Sequence, residues 1–365
     1  MTSTTPTVSA VDLFCGVGGL THGLVRSGID VRVGVDLDPS SKYPYEANNP
    51  SRFVERDVNS LTSDELASYI GTGGDYSLLA GCAPCQPFST YSQSGRSKKR
   101  GLDWQLVSKF GELVADVQPD LVTMENVAQL ADHDVFEQFL GNLKGYDVQV
   151  SVVECTKIGI PQSRKRLVVV ASKLGIIDFD PTTGGIKPRT VRQEIGKLPP
   201  IRAGEQHPSD PLHAASGLSE MNMRRIKASK PGGTWRDWDP ELLAACHRKA
   251  TGATYPSVYG RMEWDAPAPT ITTQCFGYGN GRFGHPTQDR AISLREAAMI
   301  QTFPRDYKFL EADEPVRFNR LGRLIGNAVP VRLGEVIGDA LIAHVRKAAA
   351  GELKPLSEAT SGRLF

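Results

Sequence analysis

Short apolar runs that end in a glycine or an acid recur through the first half of the chain, separated by stretches of helical spacing. Val8 to Phe14 is the first run, followed by Cys15-Gly16-Val17-Gly18-Gly19. Leu20, Gly23, Leu24 and Val25 then fit a short helix ending near Gly28, and Asp30 to Val35 is a second run with Asp36 at its end. A third strand precedes Arg56-Asp57-Val58, Asp64 to Ile70 suits a helix, and Tyr76 to Ala80 is a fourth strand running into Gly81. Leu102 to Val117 predicts a helix, and Pro119 to Met124 a fifth strand ending in Glu125-Asn126-Val127. Phe136 to Leu143 predicts a helix, with strands at Tyr146 to Val153 and Leu167 to Ala171. Strands and helices in this alternation predict an α/β fold with a doubly wound, mainly parallel sheet.

From about residue 180 the alternation fails. The sequence through 290 is rich in Gly, Pro, Arg and aromatics, as in Pro231-Gly232-Gly233-Thr234-Trp235 and Phe276-Gly277-Tyr278-Gly279. Such sequence presents loops rather than a continuous sheet. Leu333 to Val345 again suits a helix. The expected organisation is a first domain over 1–185, completed by 320–350, a smaller irregular domain over 186–319, and a flexible tail at 351–365.

Composition changes this picture little. Apolar content of 40% and charged content of 23% in 365 residues are ordinary for a globular chain with a sizeable core. The net charge is +1, but residues 186–290 carry 15 Lys/Arg against 10 Asp/Glu, a local excess of +5. Basic clusters at 96–100, 164–166 and 224–227 permit phosphate contact, although each alone is more often a solvated surface. Six unevenly spaced cysteines do not form a disulfide framework, so a reducing cytoplasm is expected. The first residues lack a signal pattern and no run reaches membrane-spanning length.

The chemistry gathers where strands end. Pro84-Cys85-Gln86-Pro87-Phe88-Ser89 places a cysteine between two prolines just past the fourth strand. A rigidly held thiolate there is a candidate covalent nucleophile. Cys82 and Cys85 also read as a Cys-x-x-Cys pair, but the other cysteines are isolated, which leaves a zinc site short of ligands. Pro87 and the Ser/Thr residues after it argue against the helix that a redox dithiol needs. The Gly-x-Gly-Gly turn with Asp36 after the next strand follows the logic of adenosine sites, where backbone N–H groups meet the ligand and an acid takes the ribose hydroxyls. Glu125 sits one strand beyond the cysteine loop; it either caps a turn or serves as an acid facing the same cleft. Gln162-Ser163-Arg164-Lys165-Arg166 offers paired arginines, read as sharing one strand face and suited to a base carbonyl or phosphate.

Taken in order, these motifs closely resemble those of the DNA cytosine-C5 methyltransferases of bacterial and phage type. Asp12 to Gly19 resembles that family's S-adenosylmethionine loop, which implicates Phe14, Gly16, Gly18, Gly19 and Leu20 in cofactor binding. The resemblance implies that Asp36 holds ribose, that Leu37 packs on adenine, and that Asp57-Val58 receives the adenine amino group. Pro84–Ser89 resembles the nucleophile loop, with Pro84 beside the cofactor and Ser89 near DNA. Glu125-Asn126-Val127 resembles the acid element, and Gln162, Arg164 and Arg166 the arginine element. Arg295-Glu296-Ala297-Ala298 with Gln301 to Pro304 resembles the brace of the recognition domain. Gly326-Asn327-Ala328-Val329-Pro330 resembles the segment that completes the cofactor pocket, through Asn327 and Ala328.

The resemblance implies a Rossmann-like methyltransferase fold and methyl transfer to C5 of a flipped-out cytosine in a specific double-stranded DNA sequence. Cys85 would form an adduct at C6, assisted by Glu125, Arg164 and Arg166, and no metal is needed. Residues 186–319 would be the target-recognition domain, with Thr270-Ile271-Thr272-Thr273 resembling its late signature; Arg236, Arg248, Arg261 and Gln274 are candidate base readers. Gly101-Leu102-Asp103-Trp104-Gln105 lacks the loop arginine frequent in the family, leaving Arg96, Arg100 and Ser89 as candidate phosphate contacts. Gln162 and Thr270 complete the expected DNA contacts. The tRNA-methylating branch shares these motifs, but its Cys-Phe-Thr signature is met here only by Cys275-Phe276-Gly277. A catalytically silent binding homologue would not need an intact Cys85, Glu125 and arginine pair. A monomer suffices for flipping one base, and a separate restriction endonuclease would be the natural companion of such an enzyme.

Overall fold

The apolar runs of the first half lie side by side as a seven-stranded sheet in a computed structural model that describes residues 6–84, 96–182, 186–249, 252 and 254–358, with backbone alone at 96–103 and 358. The strands are β1 Val8–Leu13, β2 Asp30–Asp36, β3 Arg52–Glu55, β4 Tyr76–Gly81, β5 Leu121–Val127, β6 Asp147–Glu154, a two-residue β7 Gln162–Ser163, and β8 Lys165–Ser172. All but β7 join the sheet, in the order β3-β2-β1-β4-β5-β8-β6. β1 to β5 pair in parallel, whereas β8 runs antiparallel to both β5 and β6. The sheet is therefore doubly wound and mainly parallel, with its order reversing between β1 and β4. Ligands of such sheets bind outside the carboxyl ends of the strands at that reversal.

β1 is buried along its whole length, as expected of a strand covered on both faces. Its Val11 and Leu13 join Leu79, Val122 and Met124 against helices α3 Ser63–Ile70, α4 Arg96–Val117 and α5 Asp134–Gly141. There Phe110 and Phe139 stack with ring centroids 5.7 Å apart. α3 starts with a capping box between Thr62 and Glu65, an arrangement worth about 1 kcal/mol. α4 begins at Arg96, earlier than the apolar spacing predicts, because Lys and Arg extend a helix without marking its face. On the opposite face lie α1 Gly19–Arg26 and α2 Lys42–Glu46.

By compactness the chain divides into two units. The first takes Met1–Glu154, Lys165–Gly185 and Val329–Phe365; the second takes Cys155–Arg164 and Ile186–Ala328. The second is largely irregular, with short helices α6 Val191–Ile195, α7 Glu220–Ala228, α8 Leu294–Ile300 and α9 Phe318–Asn327. Trp235 stacks on His247 at 4.3 Å, and Trp238 and Tyr259 meet edge to face at 5.8 Å. α9 groups with this unit, one element later than the expected return at 320. The reason is close packing: a Cβ at Gly326 would lie 2.3 Å from the Thr272 carbonyl carbon, and one at Gly322 would lie 2.5 Å from the Phe276 ring. The chain then rejoins the first unit through α10 Val331–Ala349. α10 approaches α1 so closely that a Cβ on Gly23 would lie 2.5 Å from backbone atoms of Val331 and Glu335.

Candidate active site

Within the first unit, the carboxyl ends of the parallel strands and the start of β8 lie at one edge of the sheet. After β1 the chain turns sharply: Phe14 has φ 59, Gly16 φ 51 and Gly18 φ 85. A non-glycine residue in that region costs on the order of 1–3 kcal/mol, which the surroundings must supply. A Cβ at Gly16 would meet nothing within 4 Å, so the turn fronts open space. Gly18 starts α1 without a side-chain cap, while Gly19 and Leu20 are buried behind it.

Asp36 ends β2 and accepts from Gly16 N through Oδ2 and from Asp38 N through Oδ1, both at 2.8 Å. Burial nevertheless pushes its carboxyl above the ordinary range. Leu37, next in the chain, is 65% exposed, unusual for a large apolar side chain. Asp57 caps the turn after β3 by accepting from Asn59 N at 2.9 Å, and the Val58 side chain enters the core.

Glu125, near the end of β5, is only 2% exposed. A buried carboxylate needs partners, and it has two. Arg166 Nε lies 2.8 Å from Oε1, and Cys82 Sγ donates to Oε2 at 2.8 Å. Burial first, and the Glu125 charge second, push the Cys82 thiol well above its ordinary value, with Arg166 pulling the other way. The adjacent Asn126 donates from Nδ2 to Ala83 O at 3.0 Å, tying the segment that leads to Pro84 onto the end of β5. Cys85 and Ser89 lie outside the described residues, as do the side chains of Arg96 and Arg100, whose backbone opens α4.

The expected strand face shared by both arginines is not formed. Arg164 precedes β8 and belongs to the second unit, where its buried guanidinium donates from Nη1 to Ile271 O at 3.2 Å. Gln162 is fully buried there too. Its Nε2 donates to Gln301 Oε1 at 2.6 Å, and its Oε1 accepts from Ile271 N at 3.1 Å, so the amide acts as an internal brace rather than a surface group. Thr270 is half-buried and donates to Ser163 O at 2.7 Å. Asn327 is exposed at the last residue of α9; the following Ala328 is buried, and its carbonyl accepts from Gln301 Nε2 at 3.1 Å.

Elsewhere in the second unit, Arg290 is fully buried and grips Glu296 through two 2.7 Å contacts. Burial alone would raise the Glu296 carboxyl, but the bonds and charge of Arg290 outweigh it and bring the pKa down to about 2. Arg295 clasps Asp210 from Nε at 2.7 Å. Arg261 is buried and donates to the carbonyls of Ile226, Ser229, His285 and Gln288 and to Asp289, which removes it from the base-reading candidates. Arg248 and Gln274 remain exposed, and Arg236 lies over the Trp235 ring at 5.5 Å. Sequence reasoning missed the contacts of Cys82 and Asn126, and it named the brace at Arg295–Ala298 and Gln301 without its partners Asp210, Arg290 and Gln162. Asn126 stood beside the acid, but nothing local marked its partner.

The chain is similar to known proteins. The family model for C-5 cytosine-specific DNA methylase matches residues 8–343. The Type II methylase M.HgiDII of Herpetosiphon aurantiacus is 50% identical over 339 residues, covering 91% of this chain and 94% of that protein. The Type II methyltransferase M1.HphI of Haemophilus parahaemolyticus is 31% identical, over 91% of this chain and 86% of its own length. Among solved structures, a prophage-encoded DNA modification methyltransferase of E. coli superposes with a TM-score of 0.72 at 23% identity, covering 93% of this chain and 99% of its own. At that identity the likeness speaks for the fold alone.

Proposed function

The chain belongs to the C-5 cytosine-specific DNA methylases, a family of DNA cytosine-5-methyltransferases, and from that premise we propose that it methylates C5 of a flipped-out cytosine through a covalent Cys85–C6 adduct, using S-adenosylmethionine. The observation that carries this reading is the Glu125 carboxyl, buried between Arg166 and Cys82 at the strand edge where the nucleophile segment begins.

The first unit's residues suit the cofactor. The Gly16 turn fronts open space, α1 begins directly after it with the positive end of its dipole at the turn, and the Asp36 carboxylate is positioned for ribose hydroxyls. The exposed Leu37 is an apolar surface that adenine would cover. When bound, S-adenosylmethionine supplies an electrophilic methyl on a sulfonium.

Cytosine C5 is a poor nucleophile until its ring is enriched in electrons. The Cys85 thiolate adds to C6, forming the S–C6 bond and driving the ring electrons toward N3, O2 and C5. Glu125, carrying a proton when the base is bound, donates it to N3, and Arg166 offers its guanidinium at O2, where that charge builds. After methylation the C5 proton leaves to a base, and Cys85 departs as thiolate, restoring the C5–C6 double bond. C5 is unreachable within a duplex, so the base must leave the stack. Arg164 supports the segment before β8 rather than the base. The second unit, with its local positive excess and exposed Arg248 and Gln274, is the proposed target-recognition region. Among the described residues no cluster of metal-ligating side chains occurs, and no helix is long and apolar enough to cross a membrane.

The test is transfer of labelled methyl from S-adenosylmethionine to mixed-sequence duplex DNA and to bulk tRNA, with Cys85→Ser as control. DNA labelling that disappears in the variant supports the reading. Labelling of tRNA alone would assign the chain to another substrate.

A further inference from the structure

We infer that Cys82 is a positioning residue for the catalytic carboxyl: its thiol, by donating to Glu125 Oε2, fixes the plane in which Glu125 meets the base. The inference rests on the cytosine-methylation reading above.

The backbone ladder between β4 and β5 ends with Gly81 opposite Met124. Beyond it the pairing continues through side chains, Cys82 to Glu125 and Ala83 to Asn126, each pair 43 residues apart. Two consecutive residues leading to the nucleophile are thus tied to two consecutive residues of the acid element.

Arg166 reaches only Oε1. That contact is an ion pair without a hydrogen bond at Oε1, so the carboxyl can still pivot about it, whereas the Cys82 hydrogen bond at Oε2 sets its plane. A thiol is ordinarily a weak donor, but bonding to a carboxylate is charge-assisted. Burial and the neighbouring Glu125 charge keep Cys82 in its S–H form, so it remains a donor. Geometry within a fraction of an ångström decides how well a group stabilises charge that exists only in the transition state.

The experiment compares native enzyme with Cys82→Ala and Cys82→Ser, measuring kcat, the KM for duplex DNA, S-adenosylmethionine affinity and melting temperature. Loss of a hydrogen bond to a charged group predicts a kcat about tenfold to a hundredfold lower for Cys82→Ala, with KM and cofactor affinity within about twofold. Cys82→Ser, which restores a donor, should recover most of that loss. The S–H stretching band of Cys82, isolated as the difference between native protein and Cys82→Ser, should relax toward that of a free thiol in Glu125→Gln.

A kcat unchanged in Cys82→Ala overturns the positioning role. So does a Cys82→Ser variant as slow as Cys82→Ala at native melting temperature, or an S–H band indifferent to Glu125. In each of these cases DNA methylation by the native enzyme leaves the cytosine reading standing. Native enzyme that methylates no DNA overturns that reading, and the role of Cys82 with it.

Discussion

Arg166 Nε lies 2.8 Å from Glu125 Oε1, a diagonal contact across the antiparallel pair of β5 and β8. The register places Glu125 opposite Val168 and Arg166 opposite Val127, so both side chains occupy the same face two positions apart. Period-two alternation makes that diagonal within reach of a long side chain. One antiparallel strand in a parallel sheet is what brings the guanidinium to the edge where the acid lies.

Arg166→Ala should therefore damage two properties. Leaving a buried carboxylate without its partner costs about 3 kcal/mol of stability, seen as an earlier denaturant midpoint. Turnover should fall at least about a hundredfold, because a charge donor aimed at the developing oxyanion is gone. Arg166→Lys keeps the charge and should recover stability more fully than turnover, since a point charge does not reproduce the fork. Equal recovery of both would refute separate roles.

Asp36→Ala should weaken S-adenosylmethionine binding by about tenfold or more, read by calorimetry without DNA, because charge-assisted bonds to ribose are lost. Leu37→Ala should weaken it by a few-fold, since less apolar surface is covered. Leu37→Ala removes no core contact, so its melting temperature without ligand should hold, whereas Asp36→Ala also leaves Gly16 N and Asp38 N without their acceptor and should melt earlier. An unaltered affinity in both variants would mean that the cofactor lies elsewhere.

The second unit should lose stability in acid. Burial, with the charges of Arg290, Arg261 and His213, outweighs the pull of Glu296 and lowers His285 from 6.5 to about 4. The unfolded chain then binds the extra proton between about pH 6.5 and 4, so stability falls as pH drops through that window and is level above it. Counted alone, His285 contributes at most about 3 kcal/mol of this slope. Below pH 4.5 the loss deepens as Glu296, held at about 2, is protonated first in the unfolded chain. Chemical unfolding of His285→Gln should show a shallower slope between pH 6.5 and 4; an identical slope would contradict the assignment.

Gly326→Ala should destabilise the protein by about 1–3 kcal/mol, because the added methyl would sit 2.3 Å from the Thr272 carbonyl carbon. Gly16→Ala meets no atom within 4 Å, and its cost comes only from φ 51. Its unfolding free energy should change by about 1–2 kcal/mol. A larger loss in Gly16→Ala than in Gly326→Ala would reverse the argument.

The sheet was legible because its buried strands are short apolar runs that give way to a glycine or an acid: Asp36 after Val35, Gly81 after Ala80 and Glu125 after Met124. The turn after β1 was legible for the same reason, since glycines at φ 51 and φ 85 are where the chain must bend. What periodicity does not carry is the partner. Nothing near Cys82 in sequence points to Glu125, because their contact depends on the β4–β5 register. Arg164 and Arg166 read as one strand face, yet β8 begins only at Lys165, so the first arginine is committed to Ile271. Gln162 and Arg261 looked like surface recognition groups because polarity in sequence does not reveal that a loop-rich unit uses them to satisfy buried carbonyls.

The central claim is the covalent Cys85–C6 adduct, and the most direct measurement is trapping with duplex DNA containing 5-fluorocytosine. Fluorine at C5 cannot leave as a cation, so the adduct should persist after methylation. The account predicts a denaturation-resistant protein–DNA conjugate that requires S-adenosylmethionine, maps by peptide mass to Cys85 and is absent from Cys85→Ser. No conjugate on substrate that the enzyme otherwise methylates, or a conjugate mapping to Cys82, would contradict it.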